Sequence, residues 1–82
     1  FSGEETTVEL ECYTSLMKYV IDRFGLDVET EELSEDKFLA KVPVDLSPTF
    51  YGWVFQFGGG IRIIGPEEAI EVFSKLLEKQ KN

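Results

Sequence analysis

Eleven consecutive residues constrain this chain more than any others: Phe50-Tyr51-Gly52-Trp53-Val54-Phe55-Gln56-Phe57-Gly58-Gly59-Gly60. They hold five of its eleven aromatic residues, including the only tryptophan, and end in three glycines. At 100° per residue Leu46, Phe50, Trp53, Val54 and Phe57 fall on one stripe, which predicts a core-facing helix over residues 47–57. Ser47 suits the N-cap and Pro48 the first turn. Gly58 can adopt the left-handed conformation that ends a helix, and the next two glycines let the chain reverse tightly. Trp53 is expected to lie between this helix and a sheet. Tyr51 and Phe55, one turn apart, project from the opposite side. Either a later element covers them or they form an interaction surface.

The segments on either side supply the rest of a small domain. Residues 6–12 alternate, with Val8, Leu10 and Cys12 on one face, as in a half-buried strand. Thr14 or Ser15 is placed to cap a helix running to Phe24, with Leu16, Met17, Val20, Ile21 and Phe24 as its apolar stripe and Gly25 as its stop. Residues 27–33 read as an acidic strand suited to a sheet edge. Residues 37–45 read as a stronger strand with Phe38, Ala40, Val42 and Val44 inward. Pro43 there lacks a donor, so it needs a bulge or an unpaired side. Residues 61–64 are a short apolar strand. Pro66, Glu67 and Glu68 open a last helix, with Ala69, Ile70, Phe73, Leu76 and Leu77 inward and Lys75, Lys79 and Lys81 toward its end. The order β-α-β-β-α-β plus a terminal helix predicts an α+β fold. It is the ferredoxin-like sandwich with a four-stranded antiparallel sheet in the order 4-1-3-2. Residues 1–5 read as a linker remnant and residues 6–82 as one domain. Because the first residue is Phe1 rather than Met, the chain is expected to be processed or cut from a longer protein.

Eighty-two residues with 16 acidic against 8 basic side chains give a formal charge of -8. That sign repels phosphates and argues against nucleic-acid binding by this domain. No run is long enough to span a membrane and no signal peptide is visible; with Cys12 as the only cysteine, a reducing cytoplasm is expected. Cys12 is expected to be a buried structural thiol. The chain has no histidine, so neither a Ser-His nor a Cys-His nucleophile pair can be built. Glu29, Glu31, Glu32, Glu35 and Asp36 lack the EF-hand pattern and read as a solvated edge. The glycine run passes from helix into strand, the reverse of a phosphate loop. No catalytic residue, metal site or cofactor is expected, and no enzyme.

Three stretches resemble a known family when taken together: Leu16-Met17-Lys18-Tyr19-Val20-Ile21-Asp22-Arg23-Phe24-Gly25, residues 47–58, and Ile61-Arg62-Ile63-Ile64-Gly65-Pro66-Glu67. They look like the C-terminal extension (WCX-type) of bacterial WYL-domain transcriptional regulators, over about residues 6–80. The resemblance implies a ferredoxin-like fold and a place behind a helix-turn-helix and a WYL domain. It also implies a role in homodimer contacts and effector response, with DNA read elsewhere. The expected partners are therefore the regulator's own WYL and helix-turn-helix domains and a second copy, with no direct DNA or membrane contact. Effector-binding residues are not carried over, because the signature and basic pocket belong to a domain this chain lacks. Two other classes share the topology. One is a free-standing, ACT-like small-molecule sensor. The other, an acylphosphatase-like enzyme, requires an arginine after the first strand, where this chain has Glu11-Cys12-Tyr13-Thr14.

Overall fold

Residues 5–80 are described in a computed structural model. Strand β1 (Thr6–Tyr13) buries Val8, Leu10 and Cys12 on one face, as its alternation requires. A 3-10 turn, Thr14–Leu16, leads into helix α1 (Met17–Phe24). No side chain caps this start, contrary to the expectation for Thr14 and Ser15. Two main-chain bonds fix the turn instead: the Thr14 N–H donates to the Asp36 carbonyl at 2.8 Å, and the Tyr13 N–H to the Gly60 carbonyl at 3.1 Å. Strands β2 (Glu29–Ser34) and β3 (Lys37–Val44) form a hairpin. Helix α2 (Pro48–Phe55), strand β4 (Ile61–Gly65) and helix α3 (Glu67–Gln80) complete the chain.

The sheet is antiparallel in the order β2-β3-β1-β4, the predicted ferredoxin-like arrangement read from the other edge. Its inner face is set by register. Val8 pairs with Val42, Leu10 with Ala40 and Ile63, and Cys12 with Phe38 and Ile61, so successive rows of apolar side chains meet the helices. The register shifts beside Ile64, where Glu9 lies opposite Gly65. Pro43 needs no bulge, because the β1–β3 register runs unbroken past it. On its other side the β2 ladder ends with Glu29 opposite Lys41, so position 43 has no neighbour to donate to. Strand β2 is exposed throughout and carries Glu29, Glu31 and Glu32 at the free edge, where charge opposes pairing with another sheet.

Helix α2 sits between its two companions. On one side Trp53 meets Phe24 of α1 edge-on, with ring centroids 5.4 Å apart, and Phe57 meets Tyr19 at 5.5 Å. On the other side Tyr51 stacks on Phe73 of α3 at 5.1 Å, with the planes 10° apart. The buried face of α2 is therefore Phe50, Tyr51 and Val54, rotated toward α3 from the predicted stripe. Trp53 is only partly buried, packing at the margin of the core against Phe24 of α1 and Phe57. The Arg23 guanidinium lies 6.0 Å from its ring centroid.

The helix start on Ser47 is as expected: its hydroxyl accepts from the Phe50 N–H at 3.3 Å, with Pro48 in the first turn. At the other end Gly58 and Gly59 take positive φ values of 58° and 97°. Gly60 approaches the 3-10 turn before α1 so closely that a Cβ there would lie 2.8 Å from Leu16 Cδ1. Pro66 precedes α3 rather than forming its first turn, and its carbonyl accepts from the Ala69 and Ile70 N–H groups. The core-facing stripe of α3 is the buried Ala69 with the half-buried Val72, Phe73 and Leu76; Ile70 and Leu77, expected inward, are exposed. Of the expected linker remnant, residues 1–4 lie outside the described residues, as does Lys81. Among the described residues no helix is long and apolar enough to cross a membrane.

Candidate functional site

The aromatic helix presents two different sides to α3, and the structure separates the two residues singled out there. Tyr51 is 2% exposed. Its hydroxyl donates to the Ala69 carbonyl at 2.9 Å, a group on the first turn of α3. Burial pushes its pKa up, and the Glu68 carboxylate adds to the effect. Tyr51 is thus a core residue, which corrects its assignment to an interaction surface: α3 folds back over it through Phe73, and the ring's polar end is satisfied inside the domain. Phe55, one turn further on, is 65% exposed.

Phe55 stands at the junction of two apolar depressions. The larger, about 380 Å³, runs between α2 and α3 and is lined by Pro48, Tyr51, Gly52, Phe55, Phe73 and the two leucines Leu76 and Leu77, with no charged side chain. The smaller, about 240 Å³, lies beyond Phe55 toward β4, against Val54, Ile61, Ile63 and Phe73, with Gly58 and Gly59 at its rim. Arg62, the one charged residue lining it, is drawn toward Glu11, with Nη1 to Oε1 at 3.6 Å. Gly52 explains the opening of the larger depression. It occupies the turn between Pro48 and Phe55 without a side chain, and a Cβ there would meet nothing within 4 Å. Leu77, 40% exposed, forms the opposite lip. Sequence reasoning missed Leu77 as a surface residue. The signal was present: Ala69, Val72, Phe73 and Leu76 complete an i, i+3, i+4, i+7 stripe without it.

Elsewhere the chemistry is quiet. Cys12 is fully buried, and burial, with the Glu11 carboxylate beside it, pushes its thiol up to about 12. A thiol held protonated in this way is a packing residue. A small cavity of about 80 Å³ beside it is lined by Glu11, Tyr13, Lys37, Gly59, Gly60 and Arg62. Its charges are engaged locally, Arg62 with Glu11 and Lys37 over the Tyr13 ring at 5.4 Å. On the sheet's open face Lys41 and Glu29 approach to 3.9 Å, with both side chains in solvent. What this surface can do is bind apolar side chains along the α2–α3 seam.

No curated protein and no solved structure matches the chain. The model of one family, described as the WCX domain, matches residues 4–79. The likeness read from the helix ending in Phe24-Gly25, the aromatic helix and the Pro66-Glu67 start thus holds over nearly the whole chain, and the protein belongs to the WCX domain family.

Proposed function

We propose that this domain is the C-terminal regulatory module of a WYL-type bacterial transcriptional regulator. In this reading it couples the regulator's effector response to contacts with the WYL domain or a second protomer, and it does not read DNA. The observation that carries this reading is the family match across residues 4–79. Two properties support it. A formal charge of -8 opposes the counterion release that drives binding to phosphates. Its surface carries an apolar seam between α2 and α3 lined by no charged side chain, the kind of surface that docks another protein. The domain acts by binding and carries no catalytic centre, and its setting is the cytoplasm, with the DNA-reading domains.

The test is deletion of this domain from the full-length regulator. Operator affinity should stay within about threefold while the effector-dependent change in transcription is lost. A loss of operator affinity, matched by micromolar duplex binding of the separate domain at physiological salt, overturns the reading. The second reading is a free-standing, ACT-like sensor, favoured only by the shared strand order. It predicts that the isolated domain binds a small molecule without the rest of a regulator.

A further inference from the structure

Two cations border one small cavity on the sheet's open face, and strand register places them there. Glu11 and Tyr13, two residues apart on β1, point to the face opposite the buried Leu10 and Cys12. Lys37 of β3 lies directly opposite Tyr13, and Arg62 of β4 directly opposite Glu11, so a basic residue flanks β1 from each side. All four line the cavity of about 80 Å³, and Gly59 and Gly60 complete its wall without side chains. Glu11 is the only carboxylate lining it, so two cations face one anion inside a molecule whose formal charge is -8.

The local engagements of these cations are loose. Arg62 meets Glu11 through a contact of 3.6 Å, an ion pair too long for a hydrogen bond, with its own side chain 67% exposed. Among the described residues Lys37 makes no ion pair; its Nζ lies 5.4 Å from the Tyr13 ring centroid. Attraction to a ring face leaves an ammonium's N–H donors available. The nearest acid in sequence, Asp36, accepts instead from the Ser34 hydroxyl at 3.0 Å. Charged donors in excess of acceptors select an anion, and a volume with room for several waters selects a small one. We propose that the Lys37–Arg62 cavity binds a small oxyanion, the phosphate or carboxylate group of a small molecule. Lys37 and Arg62 are its charged ligands, and Glu11 competes with it for Arg62. Two cations cannot follow the row of phosphates along a duplex, and the surrounding negative charge keeps the affinity in the millimolar range.

The experiment follows amide resonances of the isotope-labelled domain by NMR as phosphate, acetate or chloride is added at constant ionic strength. Phosphate or acetate should shift Tyr13, Lys37, Gly59, Gly60 and Arg62 along a saturable curve, and chloride should not. The tighter of the two oxyanions identifies the group bound. Lys37→Gln and Arg62→Gln should each weaken binding at least about threefold, and Glu11→Gln, which releases Arg62, should tighten it by a similar factor. Glu29→Gln makes the same change of charge elsewhere on the open face and should leave Kd as it was. All four side chains stand on that face, so each variant should keep the dispersed spectrum of the folded domain. The proposal is overturned if neither oxyanion gives a saturable shift, if chloride serves as well, or if either cation can be replaced without loss. It is also overturned if Glu29→Gln tightens binding as much as Glu11→Gln, the mark of a general charge effect. The result is independent of the regulatory reading, which the deletion experiment decides either way.

Discussion

Tyr51 and Cys12 show how single buried groups are held in this domain. The Tyr51 hydroxyl reaches the Ala69 carbonyl, so Tyr51→Phe removes one hydrogen bond and keeps the ring. Such a change should cost about 1 kcal/mol, a fall of roughly 4–8 °C in Tm for a domain of this size. Calorimetry of the two proteins checks it, and an unchanged Tm would mean that the bond contributes nothing. Cys12 is held protonated up to about 12, against 9.0 for a free thiol. Below pH 9 the thiol is protonated whether the chain is folded or not, so it makes stability independent of pH there. Between pH 9 and 12 the unfolded chain releases the proton and the folded one keeps it, so stability falls as pH rises. Tyr51, also raised, acts in the same direction. Denaturant midpoints should therefore decline above pH 9, and less steeply in Cys12→Ala. A flat profile to pH 11 would show that neither group is held as described.

At the scale of elements, the reversal from α2 into β4 depends on backbone that side chains do not tolerate. Gly60 lies against the Leu16 side chain and the Phe57 carbonyl, so Gly60→Ala makes the Leu16 methyl turn aside and crowds the Phe57 carbonyl. Because that side chain can move, the cost should lie at the low end of overpacking, about 1 kcal/mol, measurable as a lower urea midpoint with an unchanged slope. Much of the element plan was legible in the sequence. Ser47, Pro48, Gly58 and the alternation of Val8, Leu10 and Cys12 are local signals, and each element formed where they pointed. The start of α1 was not legible, because Asp36 and Gly60 fix it from distant loops. The face of α2 that is buried was not legible either. Periodicity shows that Phe50, Trp53 and Val54 share a stripe, but α3, packing from the side of Tyr51, rotates the buried face by roughly 70°. For the candidate site the sequence marked Tyr51 and Phe55 as surplus aromatics without saying which of them the last helix would take.

Taken as a whole, the molecule is acidic, and two of its exposed apolar side chains, Phe55 and Leu77, meet at the α2–α3 seam. At about 150 mM salt the separate domain should not bind duplex DNA measurably, because releasing counterions from phosphates requires positive charge that this surface lacks. Anisotropy with a labelled duplex tests this, and a micromolar Kd would contradict it. The central claim is that α2 divides along its length into a residue that holds the fold and one that is free for a partner. The direct measurement is equilibrium unfolding of Tyr51→Ala and Phe55→Ser side by side. Removing the Tyr51 ring should cost about 3–5 kcal/mol and abolish or nearly abolish the folded state. Replacing Phe55, mostly in water already, should cost about 1 kcal/mol and keep a cooperative transition. Two variants equally destabilised, or Phe55→Ser unfolded while Tyr51→Ala melts normally, would contradict the account.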